Sequence, residues 1–140
     1  ADGATLHRVQ AGLTTMYGQI ATFVDNTLEI NAGDTVIFEN DDRNFHNVVF
    51  KGDLAEFPSA YEIRVDPGGR GFNVALAKES AQQVNPPPEG FDASTFLSSG
   101  TMGVLQPRQT WRLTFTTPGT YVYNCTIHQF AGMAGVIIVR

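Results

Sequence analysis

Cys125, His128 and Met133 fall within one short run, Tyr123-Asn124-Cys125-Thr126-Ile127-His128-Gln129-Phe130-Ala131-Gly132-Met133. A thiolate is a strong soft ligand, an imidazole nitrogen a borderline one, and a thioether sulfur a soft and weak one. Together they suit a single soft or borderline metal ion. A second imidazole is available at His46, in the run Phe45-His46-Asn47-Val48-Val49-Phe50. Two histidines and a cysteine in a plane, with a methionine at a long axial distance, make up the ligand set of a blue-copper electron-transfer centre. His46, Cys125, His128 and Met133 are therefore the candidate ligands of one copper ion.

Other readings of these residues carry less weight. Cys125 is the only cysteine, so an internal disulfide is excluded and core filler, nucleophile or metal ligand remain. Zinc accepts two histidines and a cysteine, but structural zinc sites usually have four strong ligands, and copper outranks zinc in intrinsic affinity. Asn124-Cys125-Thr126 has the form of a glycosylation acceptor, which a metal-bound cysteine would disfavour. His7, Met16 and Met102 stand in no motif and are expected to be structural.

The elements that must position the candidates alternate with a period of two. Trp111, Leu113 and Phe115 alternate with polar residues, and Tyr121, Tyr123 and Cys125 share one face of the next run, with Thr117-Pro118-Gly119 as the turn between them. Val136–Val139 is apolar on both faces. Tyr17–Val24, Thr27–Ile30, Thr35–Asn40 and Asn47–Phe50 are strand-like and separated by Asn, Asp and Gly turns. Short strands and frequent turns predict an all-β, Greek-key antiparallel β-sandwich in a single domain, 1–140. From 51 to 106 the pattern is irregular and rich in proline. It reads as an insertion, with a short strand at Tyr61–Val65 and a helix over Val74–Val84 ending before Pro86.

With Phe-His-Asn-Val-Val-Phe at 45–50 and Cys125-x2-His128-x4-Met133, the chain resembles the cupredoxins, in particular the plastocyanin and pseudoazurin group. The resemblance covers residues 17–50 and 100–140. It implies a cupredoxin-like sandwich, one type 1 copper held by His46, Cys125, His128 and Met133, and a one-electron carrier rather than an enzyme. It also implies that Asn47 and Thr126 form an outer strap between the two ligand-bearing segments. His46 is expected to be buried and the His128 ring edge to reach the surface as the electron port, with Phe130 and the segment 52–58 beside it. Two positions depart from the pattern. Asn124 stands where plant and algal plastocyanins carry a tyrosine, and Ile127 where many relatives have proline.

The rest of the chain limits the functional classes. Hydrophobic residues make up 42% and charged residues 16%, which favours a packed globular protein over a disordered one. With a net charge of −5 and no basic run, nucleic acid is not an expected partner. Asp25, Glu29, Asp34, Glu39, Asp41 and Asp42 precede Arg43, with no base after Arg8, and read as a solvated acidic face or as a dock for a basic partner. Three histidines and no His-x-His pair do not suffice for multinuclear copper enzymes. The enzyme alternative is therefore a type 1 copper domain excised from a larger copper redox enzyme. The expected partners are a redox donor and acceptor, such as a c-type cytochrome or a membrane redox complex. No apolar run is long enough to span a membrane. The opening Ala-Asp-Gly reads as a mature exported protein or an excised domain, hence a monomer in the periplasm or another extracytoplasmic space, with any membrane tether outside this chain.

Overall fold

The computed structural model describes residues 3–16, 18–40, 44–103 and 108–140; the side chains of Thr15, Asn73, Glu79, Ser80 and Phe130 are outside the description, as are Asp41, Asp42 and Arg43. Two sheets pack face to face. The four-stranded sheet has the order β10-β4-β1-β2, made of β10 (Thr110–Thr114), β4 (Thr35–Asn40), β1 (Leu6–Thr15) and β2 (Gly18–Val24). The six-stranded sheet has the order β3-β12-β11-β5-β9-β8, with β3 (Thr27–Ile30), β12 (Ala134–Val139), β11 (Gly119–Asn124), β5 (Val49–Phe50), β9 (Leu97–Ser99) and β8 (Gln83–Val84). The expected sandwich is present. Two of its pairings run parallel, β1 with β4 and β3 with β12, so each sheet is mixed.

Period-two alternation explains the core. On β10, Trp111 and Leu113 are buried while Thr110, Arg112 and Thr114 are exposed; on β11, Tyr121 and Tyr123 face in and Val122 faces out. Tyr123 is the hub of the aromatic packing, with its ring 4.8 Å from Phe23 and 5.3 Å from both Phe38 and Phe50. At Gly135, a Cβ would overlap the Tyr123 ring, so the β12 strand needs glycine there to seat it.

The structure departs from expectation at four places. β1 carries no clear apolar alternation because its inward positions are His7, Val9 and Ala11, and Gly12 sits at a bulge with φ 86°. In the insertion, the predicted helix over Val74–Val84 is limited to Lys78–Ala81: β7 (Phe72–Leu76) pairs with β6 (Tyr61–Val65) ahead of it, and β8 follows. Leu97–Ser99 is not a loop but joins the six-stranded sheet beside β5. Three described acids of the acidic run, Glu29, Asp34 and Glu39, go into separate pairs; Asp41 and Asp42 lie outside the described residues. Asp34 is buried against His7 at 3.0 Å, Glu39 pairs with Arg8 at 3.2 Å and Glu29 with Arg140 at 2.8 Å.

Candidate metal centre

His46 comes from the segment leading into β5, and Cys125 and His128 from the connection between β11 and β12. β5 lies beside β11 with Val49 opposite Asn124, which brings the distant His46 next to Cys125. The connection is a short 3₁₀ helix, Thr126–Ala131, broken at His128 (φ −116°, ψ 29°) and closed by Gly132 in the left-handed region (φ 73°), whose N–H bonds the Gln129 carbonyl at 3.0 Å. The Cys125 N–H donates to the Met133 carbonyl at 2.9 Å and the His128 N–H to the Cys125 carbonyl at 3.3 Å, so the loop folds back on itself.

The Cys125 Sγ lies 3.9 Å from Nδ1 of His46 and 3.7 Å from Nδ1 of His128. All three donor atoms are within 4.8 Å of one another, and the two imidazole rings stand 4.8 Å apart. Metal bonds of about 2.3 Å to sulfur and 2.0–2.1 Å to nitrogen, in a trigonal arrangement, put donors roughly 3.8 Å apart. The observed separations leave room for one ion between the three. His46, Cys125 and Met133 are fully buried, whereas His128 is only half-buried.

The model of copper binding proteins, plastocyanin/azurin family, matches residues 10–140 of the chain. The chain belongs to this family. It is 30% identical to the plastocyanin of Vicia faba over 118 residues, 84% of this chain and 87% of that protein. To the chloroplastic plastocyanin of Pisum sativum it is also 30% identical, over 84% of this chain and 51% of that longer protein. Among solved structures, a reduced amicyanin variant is 25% identical with a TM-score of 0.53, covering 100% of this chain and 85% of the other. The cupredoxin fold and the binding of one copper are thus those of the family, and the protein is a type 1 copper electron carrier rather than an enzyme.

Around the three donors, Asn47 makes two buried bonds across to the ligand loop. Its Nδ2 donates to Thr126 Oγ1 and its Oδ1 accepts the Thr126 N–H, both at 2.8 Å. Three further residues hold the His46 segment: Met102, expected from sequence to be structural, and Asn40 and Ser99, which the sequence did not single out. Met102 pairs with His46 through N–H to carbonyl bonds of 2.7 and 3.3 Å, Asn40 Nδ2 donates to the Met102 carbonyl at 3.0 Å, and Ser99 Oγ accepts the Val48 N–H at 2.8 Å. The only sequence signal for them is the interruption of a polar Ser-Ser-Gly-Thr run by Met102, which by itself reads as loop.

The first residues of the segment 52–58 lead away from the ligand loop, contrary to expectation. β5 runs antiparallel to β11, from Val49 opposite Asn124 to Phe50 opposite Tyr123, so the chain leaves β5 in the direction away from Cys125. Asp53 then bonds the Ser94 carbonyl at 3.1 Å, and Lys51 and Gly52 line a cavity with Thr120 and Val122. The insertion reaches the ligand loop through Tyr61 instead, whose hydroxyl donates to the Ile127 carbonyl at 3.1 Å. Phe130, the other expected neighbour of the port, has its side chain outside the description.

Proposed function

We propose that His46 Nδ1, Cys125 Sγ and His128 Nδ1 would hold the copper, with the buried Met133 thioether as a weaker fourth ligand. Copper supplies the one-electron Cu(I)/Cu(II) couple when bound. The observation that carries this reading is the position of one thiol sulfur within 4 Å of a ring nitrogen from each of two histidines, one buried and one half-buried. Cys125 binds as the thiolate, since a coordinated thiol is deprotonated outright. The Asn47–Thr126 bonds and the Met102–His46 pair hold the two ligand segments at a fixed distance, so either oxidation state finds the same donors with little movement. His46 is sealed in the core, so the partly exposed His128 ring is the route by which electrons leave and enter.

The partners are a redox donor and acceptor, of the kind represented by a c-type cytochrome or a membrane redox complex, met by the chain as one domain and as a monomer. An extracytoplasmic location, periplasmic or lumenal, follows the relatives, one of which is named as chloroplastic. No described helix is long and apolar enough to cross a membrane, so any tether to one lies outside these elements.

Voltammetry of the copper-loaded protein tests the ligand set. One reversible one-electron wave is expected with one copper per chain. Replacing the soft thioether by an oxygen donor in Met133→Gln stabilises Cu(II) and lowers the midpoint, by about 59 mV for each tenfold change in relative affinity. A midpoint that rises, or copper lost altogether, places Met133 outside the ligand set.

A further inference from the structure

The β6–β7 hairpin stands apart from both sheets and turns its apolar face outward. Its register pairs Ile63 with Val74 and Val65 with Phe72, and paired residues of an antiparallel ladder share a face. Ile63 and Val65 are each 70% exposed, Phe72 68% and Val74 59%; Tyr61, on the same face, is 44% exposed. The opposite face carries Glu62 and Arg64, joined to each other at 2.6 Å. A two-stranded hairpin is marginal on its own, and this one is secured at its base. The Ala77 N–H donates to the Ala60 carbonyl at 2.7 Å, Leu76 packs against the core, and Tyr61 Oη bonds the Ile127 carbonyl. Ile127 is the residue before His128. The exposed face is therefore continuous with the loop that carries the proposed electron port.

We propose that this face docks the redox partner, a protein whose cofactor edge opens within an apolar and weakly charged surface, as the haem edge of a c-type cytochrome does. The proposal rests on His128 being the port. Three observations select this occupant. Five side chains exposing roughly 100 Å² each give a patch of about 500 Å², short of the ~800 Å² per partner of a stable complex and suited to the small interfaces of brief electron-transfer encounters. Glu62, Arg64, Asp66 and Arg70 sum to zero in a chain of net charge −5, so contact here does not rely on charge. A membrane surface would favour an excess of bases on the polar side, which the Glu62–Arg64 pair lacks. One electron passes in each encounter: the reduced carrier becomes oxidised, the ferric cytochrome becomes ferrous, and no proton moves.

The test uses the copper-loaded full chain and the double variant Ile63→Ser/Val74→Ser, which removes the central cross-strand pair and leaves Tyr61 in place. Stopped-flow oxidation of the reduced protein is measured with a soluble ferric c-type cytochrome and, separately, with hexacyanoferrate(III), which needs no docking face. The cytochrome rate constant is expected to fall at least tenfold at both low and high salt, while the hexacyanoferrate rate and the visible spectrum stay as in the wild type. Ile63→Leu/Val74→Leu, which keeps the face apolar, is expected to retain the wild-type rate; a fall equal to that of the serine variant would mean that the hairpin's shape, not its apolar face, sets the rate, and overturns the proposal. Equal cytochrome rates for wild type and serine variant overturn it as well. So does a wild-type dimer in sedimentation, or flotation with phosphatidylcholine vesicles, that the serine variant abolishes, since the face would then serve a second copy or a bilayer. A wild type that exchanges with neither oxidant sinks the port reading itself, and is distinguished from these outcomes by the hexacyanoferrate arm.

Discussion

Asn47 and Thr126 are joined by two bonds, and mutation does not affect the two residues equally. Asn47→Ala removes both bonds and leaves the buried Thr126 N–H and hydroxyl without it, whereas Thr126→Ala removes only the hydroxyl partner, because the Thr126 N–H to Asn47 Oδ1 bond is made by the backbone. A neutral buried bond contributes about 0.5–1.5 kcal/mol, and stranding a partner costs about 1–3 kcal/mol. Denaturant unfolding of the copper form is thus expected to show Asn47→Ala as the more damaging change, with a non-additive double mutant. Equal and additive losses would mean that the strap does not couple the ligand segments. These residues were legible in the sequence because their types are chemically specific and their spacing short: Cys125, His128 and Met133 share one loop, and His46 carries its Asn47 beside it. The roles of Asn40, Ser99 and Met102 were not, since Asn40 and Ser99 bond the backbone of residues far off in sequence and Met102 acts through its own backbone, with no motif to mark any of them.

At the scale of the element, the strands of the aromatic core could be read from alternation, and those at its margins could not. Trp111–Phe115 and Tyr121–Cys125 alternate large and polar residues; β1 alternates Val9 and Ala11 with Arg8 and Gln10 across a glycine bulge, a weak signal. β1 is pinned at its start by Asp34, whose carboxylate accepts the Thr5 N–H at 2.8 Å and the Asn31 N–H at 3.1 Å and bonds the His7 ring. The His7 bond first, and then the two backbone N–H groups, hold the Asp34 carboxyl below the ordinary carboxylate range. The unfolded chain then binds the proton more tightly than the folded one. The stabilisation is complete above the ordinary aspartate pKa and is lost as pH falls through the folded value. Urea midpoints measured from pH 6 downward should drop below about pH 4, and Asp34→Asn should flatten that limb while lowering stability at neutral pH. An unchanged acid limb would remove Asp34 from the account.

Tyr123 makes the complementary case on β11. Its ring is the centre of the core, yet its hydroxyl has no hydrogen-bond partner among the described residues, and burial, with a smaller effect of the Asp25 charge, raises its pKa well above the ordinary tyrosine value. Removing an unpaired buried hydroxyl costs nothing in lost bonds. Tyr123→Phe is expected to leave thermal stability unchanged or raise it. A loss of more than about 1 kcal/mol would show that the hydroxyl is bonded after all.

Over the whole molecule, sequence indicated the class of fold and the poles of the sandwich better than the course of the insertion. Between 51 and 106 the Tyr61–Val65 strand was legible, but its hairpin partner Phe72–Leu76 and two short strands of the main sheet, Gln83–Val84 and Leu97–Ser99, were not, because exposed apolar Phe72 and Val74 suit a helix face as well as a strand and buried Ser98 and Ser99 mimic loop. The insertion therefore approaches the ligand loop through Tyr61, not through the segment that follows β5. The charge was similarly misleading: among the described residues, the acids at 29, 34 and 39 are spread over three separate pairs.

The visible absorption spectrum of the Cu(II)-loaded protein tests the central claim most directly, with Cys125→Ser as the control. A thiolate bound in the plane with two imidazoles gives an intense charge-transfer band toward the red end of the visible range, and Cys125 is the only thiolate the chain can offer. The wild type is expected to be strongly coloured with one equivalent of copper and the serine variant colourless at the same loading. A wild type showing only weak absorption, or a serine variant that keeps the intense band, would contradict the assignment of Cys125, His46 and His128 to one copper centre.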